Sequence, residues 1–175
     1  MKEKLRLSLT LAAIVVILDH LTKWLIVTYV PQGSEIPVIN GFFDIVHGRN
    51  TGAAFGVMSA WDNANKHYFF YVMGAVAVVF LYNYLKSIPQ NDRYSQIAIG
   101  LIFGGALGNL IDRFMRGSVV DFLSVHYYDQ IWSTTLFGHN WIIPLTWPAF
   151  NVADAAISVS VTFLVIRGFK TPRPA

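Results

Sequence analysis

Cysteine is absent from the 175 residues, which removes disulfides, thiolate nucleophiles, haem attachment and Cys-ligated zinc or iron–sulfur centres from consideration. Charge is scarce too. Asp, Glu, Lys and Arg make up 13% of the chain, against about 25% in a soluble domain. No Walker-type phosphate loop occurs, and the glycines Gly100–Gly108 fall in a helical stretch that offers no phosphate cradle. None of the five histidines (His20, His47, His67, His126, His139) forms an H-x-x-x-H pair. A metal built from His126 and Asp121 is the remote alternative, so neither metal nor cofactor is expected. The pI near 9.2 does not mark a nucleic-acid binder, because the basic residues form no dense block and follow the positive-inside pattern instead.

What the chain has is apolar length: 54% hydrophobic residues and a mean hydropathy of +0.47. Four stretches, about 7–30, 68–85, 95–113 and 149–166, approach the roughly 20 residues that cross a bilayer. The expectation is one all-α membrane domain over residues 1–175, a bundle of four transmembrane helices. Eight Lys and Arg residues flank the N-terminus, the second connection and the tail, while the two much longer outer connections hold four. Both termini are therefore expected in the cytoplasm. The first stretch imitates a secretory signal, but Asp19, His20 and Lys23 interrupt it and no small-residue cleavage site follows, so it is read as a retained helix.

Gly100, Gly104 and Gly108 recur every four residues, with Gly105 and Ala106 beside them, and lay a small-residue groove along one face of the third helix. Ala149, Ala153, Ala156 and Ser160 offer compatible spacing on the fourth. Outside the bundle, residues 31–60 contain Asn40-Gly41 between Ile36–Ile39 and Phe42–Val46. Both turn positions favour positive φ, which predicts a hairpin and a small β-structure. Trp61–His67 reads as a short helix leading into the second span. The segment Ser118–Trp147 is read as an outer loop whose seven aromatic residues, Phe122 to Trp147, suit the headgroup level.

Ionisable residues inside a membrane are costly, and each invites a functional reading. Asp19 and Lys23 stand at i and i+4, the favourable order for an ion pair, and read either as a neutralised structural pair or as part of a site. Asn109, Asp112, Arg113 and Arg116 form a polar stripe where the third helix emerges. The bland reading has these charges simply meeting water; the functional one has Asn109 or Arg113 holding a substrate. Asp121 follows in an apolar run, Val119-Val120-Asp121-Phe122, where desolvation should raise its pKa. Asp154 should lie about five residues inside the fourth helix, with Asn151 three residues earlier on the same face. If the third and fourth helices pack together, the two aspartates meet at one depth. Two such carboxyls share one proton, a division of labour that suits peptide hydrolysis. Proton or ion translocation uses similar buried acids, and a structural pair or a scaffold packed through the glycine groove fits the same spacing.

Five blocks in order narrow the choice: Asp19-His20-Leu21-Thr22-Lys23, Arg49-Asn50-Thr51-Gly52-Ala53-Ala54-Phe55, Gly104 to Arg113 (GGALGNLIDR), Val119-Val120-Asp121-Phe122, and Pro148 to Asp154 (PAFNVAD). Over nearly its whole length the chain resembles lipoprotein signal peptidase, or signal peptidase II. The resemblance implies four membrane helices with an extracytoplasmic β-cradle, no metal, and catalytic Asp121 and Asp154, with Asp19, Lys23, Asn50, Asn109, Arg113 and Asn151 supporting or lining the site. It implies an aspartic endopeptidase in the bacterial cytoplasmic (inner) membrane, with its active site towards the outer face. The substrate would be a diacylglyceryl-modified prolipoprotein, cut just before the lipidated cysteine. Globomycin is the implied inhibitor, membrane lipid the surroundings, and a monomer the expected state. Two departures are visible. The interval from Asp121 to Asp154 looks long for the family, and His20 stands where glutamine is commoner.

Overall fold

The computed structural model describes residues 2–52, 63–136 and 138–170. In chain order they form α1 (Lys2–Tyr29), β1 (Glu35–Ile39), β2 (Phe43–Asn50), α2 (Asn63–Ser87), α3 (Arg93–Arg116), β3 (Val119–Leu136), β4 (His139–Phe150) and α4 (Val152–Lys170). Four of the described helices are long and apolar enough to cross a membrane. The short helix expected at 61–67 is the start of α2, and Trp61, Asp62 and Ala53–Phe55 of the second sequence block lie outside the described residues.

α1 shows why this is a membrane fold. Its buried face runs Lys4, Ser8, Ala12, Val15, Asp19, Lys23, Ile26, spaced three or four apart and largely small or polar. Ile17, Leu18, Leu21 and Trp24 point outward and are about half exposed. A soluble helix reverses that order. Apolar side chains outside and polar ones inside require an apolar solvent, which the bilayer supplies.

α3 is the central helix and packs against the other three. Its glycines decide how closely. A Cβ on Gly100 would stand 2.7 Å from the Ser8 carbonyl oxygen, and one on Gly104 would stand 2.7 Å from that of Ala12. Both are closer than real Cβ contacts, so α1 and α3 touch backbone to backbone. Gly105 does the same towards α4, where a Cβ would meet the Ala153 oxygen at 2.5 Å. At the other end of the bundle Lys4 is buried and donates to the carbonyl of Ile88 just beyond α2, a cation at a helix C-terminus. Asp92 caps α3 by accepting from Ser95 N–H at 3.2 Å and pairs with Arg167 of α4.

The four strands make one antiparallel sheet in the order β1-β2-β3-β4. The expected hairpin at Asn40-Gly41 is present with a different turn. Ile39 pairs with Phe43, leaving three residues in the loop, and Gly41 alone of them takes positive φ, at +73°. The larger correction concerns 118–147. The expected aromatic loop is instead a long β3–β4 hairpin, paired from Leu123↔Phe150 to Leu136↔His139. No Asn-Gly signal marks its turn, and Pro144 and Pro148 argue against a strand unless it lies at an edge. β4 is such an edge strand. Because it runs to Phe150, α4 begins at Val152 and not at about 149.

Candidate active site

The later start of α4 moves Asp154 into its first turn, not five residues deep. Asn151 is the cap. Its side-chain oxygen accepts from Asp154 N–H at 2.9 Å, and the Asp154 carboxylate accepts from Asn151 N–H at 3.3 Å. This reciprocal pair is a capping box built from Asn and Asp, and it sets the Asp154 carboxylate at the positive end of the helix dipole. Asp121 arrives from the opposite direction. α3 stops at Gly117, which takes φ +70° and donates to Arg113 O at 3.0 Å. β3 starts two residues later, so the end of one rigid helix fixes the carboxyl.

Asparagine amides tie both carboxylates down. Asp121 accepts from Asn151 Nδ2 at 2.7 Å and from Asn50 Nδ2 at 3.1 Å. Asp154 accepts from Asn109 Nδ2 at 2.7 Å. Burial, and to a lesser degree the Asp154 charge, raises Asp121 to about 6, with the Asn50 and Asn151 hydrogen bonds opposing the rise. Both carboxyls line one cavity of about 520 Å³, together with Asn50, Asn109 and Arg113 on its polar side and Trp147, Pro148, Ile157 and Val159 on its apolar side.

Arg113 is held above this floor. Its guanidinium donates to Gly52 O at 3.1 Å and to Asn109 O at 3.3 Å, and lies 4.0 Å over the Phe70 ring of α2. A planar cation with donors left over, beside an apolar wall, suits a polar headgroup or a carbonyl of an amphipathic ligand.

Behind the cavity sits a fully buried ionic cluster. Lys23 pairs with Asp19 at 2.7 Å and with Asp112 at 3.0 Å, and all three side chains are inaccessible. Asp19 also accepts from Ala153 N–H at 3.0 Å, tying α1 to the first turn of α4. Gly108 makes the room, since a Cβ there would lie 2.8 Å from the Asp19 carboxylate. The bland reading of the emerging end of α3 therefore fails for Asp112. Far from meeting water, it holds Lys23, Arg116 and the Val120 N–H at 3.3 Å. Sequence spacing put Asp112 in the stripe but not in the site. The signal that could have found it is that a buried Lys23 ammonium carries three donors, more than the single partner Asp19 would take up.

The residues named from the sequence thus come together in two layers. Asp121, Asp154, Asn50, Asn109 and Arg113 face the cavity, with Asn151 joining the two carboxyls, while Asp19 and Lys23 stand behind. His126 does not join them; its ring pairs with Asp44 at 2.5 Å.

The profile of the family described as signal peptidase (SPase) II matches residues 11–170. A lipoprotein signal peptidase of Syntrophotalea carbinolica is 42% identical over 164 residues, covering 92% of this chain and 89% of that protein. Two solved structures titled as a bacterial membrane enzyme, determined by the in meso method at 2.3 and 1.9 Å, share 32% identity with it. Their TM-scores are 0.74 and 0.73, over 96% and 94% of this chain and 93% and 94% of theirs. With its four bilayer-length helices, the chain is a multi-pass membrane protein, and it belongs to the signal peptidase II family of peptidases.

Proposed function

We propose that the chain is an intramembrane aspartic endopeptidase that removes the signal peptide from diacylglyceryl-modified prolipoproteins just before the lipidated cysteine. The observation that carries this reading is the pair Asp121 and Asp154, opening into one cavity and each fixed by asparagine amides. Asp121, raised to about 6 chiefly by burial, is assigned the role of proton donor, and Asp154, at the positive end of α4, that of general base. Asp154 takes a proton from water as the hydroxyl oxygen bonds to the scissile carbonyl carbon. Asp121 donates its proton to the carbonyl oxygen. Collapse of the tetrahedral intermediate breaks the C–N bond, Asp154 passes its proton to the departing amine, and Asp121 recovers its own from the hydroxyl.

The apolar wall of the cavity and the exposed Val159 of α4 suit acyl chains that stay in the bilayer while the bond reaches the carboxyls. Arg113 suits the polar region between lipid and peptide. In this reading both termini are cytoplasmic, the protein lies in the bacterial cytoplasmic membrane as a monomer, and the sheet and active site face outward. Globomycin would compete for the same cavity.

The test is cleavage of a synthetic diacylated lipopeptide by purified protein. Asp121→Asn and Asp154→Asn should each lower turnover by about 10²–10⁴-fold while inserting and folding as wild type does. Ordinary turnover by either variant overturns the dyad, and cleavage of an unlipidated peptide at the same rate overturns the substrate.

A further inference from the structure

The sheet holds a second cluster of titratable side chains, away from the cavity. We propose that Glu35, Asp44 and His126 form a binding site for one divalent first-row transition-metal ion, with three adjacent strands each supplying one ligand.

The register brings them together. Pro37 of β1 lies opposite Asp44 of β2, so Glu35, two residues from Pro37, shares that face. Asp44 lies opposite Ser124 of β3, so His126 shares it as well. The pairing is regular through these positions, because the bulges fall at Pro37/Ile39 and Ile45/Gly48. One ligand atom from each residue lies within 4.8 Å of the other two. His126 Nε2 is 2.5 Å from Asp44 Oδ2.

The chemistry of the set favours a metal over a proton. Two carboxylates converging on one imidazole repel each other, and an imidazolium supplies one positive charge against their two negative ones, whereas a divalent ion matches both. Asp44 is also 2% exposed, where a carboxylate depends on close counter-charge. A dication neutralises both. One imidazole nitrogen and two carboxylate oxygens suit zinc and its first-row neighbours, with a remaining position for water. Calcium takes six to eight oxygens, which this set does not provide. Around zinc the donor atoms would sit about 3.3 Å apart. The His126–Asp44 pair therefore opens and the wider separations close, each by side-chain adjustment. The ion takes the Nε2 lone pair, and the ring hydrogen resides on Nδ1. Entry is open, since β1 is exposed along its length. The consequence is mechanical. An ion here clips the exposed edge strand β1 across β2 to β3, the strand that carries Asp121.

The experiment titrates Zn²⁺ into the intact purified protein after chelator treatment and dialysis, reading stoichiometry and affinity by calorimetry. Wild type should bind one ion per chain. Asp44→Asn and His126→Ala should abolish that binding. Glu35→Gln alters an exposed side chain, leaves the fold in place, and should weaken binding at least about 10-fold. Asp121→Asn should leave it unchanged, which keeps this site separate from the proposed dyad. Absence of saturable binding by folded wild type overturns the proposal. So does binding that Glu35→Gln and His126→Ala leave unchanged, which would assign the ion to histidines elsewhere.

Discussion

Asn109 decides how Asp154 is presented. Lys23 has only donors, so at 3.0 Å it requires the oxygen of the Asn109 amide. The nitrogen must then face the other way, and it meets Asp154 at 2.7 Å. A buried ionic cluster thereby fixes an amide, and the amide fixes a carboxylate. Asn50 acts on the other member of the pair. Its hydrogen bond favours the charged form of Asp121, against the rise that burial produces. The sign follows directly. Asp121 holds its proton up to about pH 6, so kcat/KM for a lipidated peptide should decline as the pH rises past that value. Asn50→Ala removes a bond that lowers the pKa, so the decline should shift to higher pH. A pH–rate profile that stays put, or moves to lower pH, would show that Asp121 is not the proton-holding group. Asp121 was legible from the sequence as a desolvated carboxyl, and Asp154 as an acid of the fourth helix, though not its place in the first turn. That Asn50, Asn109 and Asn151 support or line the site was implied by the resemblance; that their amides hold the two carboxyls was not, because an amide's role depends on which way it faces.

Between elements, the α1–α3 seam carries the fold and the site together. Gly104→Ala would drive a Cβ into the Ala12 backbone and the Val15 side chain, both at 2.8 Å or less. The helices must then part, at a cost of about 1–3 kcal/mol typical of overpacking. Gly168→Ala is the control, since a Cβ there meets nothing within 4 Å. Thermal melting in detergent should separate the two, and an equal effect would refute the close seam. Lys23→Ala removes the cation from between Asp19 and Asp112 and leaves two buried carboxylates facing each other. The expected loss is about 3–5 kcal/mol, read as a lowered melting temperature, and an unshifted melt would contradict the cluster. The small-residue stripe was readable from its four-residue period. The β3–β4 hairpin was not: its turn carries no Asn-Gly, and its aromatics serve a membrane-surface loop equally well.

Across the whole molecule, solvent preference is inverted. Val76, Val79, Phe80, Val159, Val165 and Ile166 are between about half and two-thirds exposed, while Asp19, Lys23, Asp112 and Asn151 are fully buried. The site lies at the end of the bundle that bears the sheet. The proposed orientation is testable because the chain has no cysteine of its own. In spheroplasts, Ser133→Cys in β3 should react with a membrane-impermeant maleimide, and Asn91→Cys between α2 and α3 only after permeabilisation. The opposite pattern would invert the topology.

The sequence by itself determined the four helices, the glycine seam and the two carboxyls that a membrane does not tolerate idly. Those properties rest on composition and on periods of a few residues, which local geometry converts directly into faces. The tertiary structure alone decided that Asp112 shares Lys23 with Asp19, that Asp154 begins its helix instead of lying within it, and that Asp44 and not Asp121 meets His126. Each of these depends on partners remote in the chain, as with Asp19 and Ala153, 134 positions apart. A buried charge fixes only that some partner must exist; which one it finds is set by how the helices and strands pack.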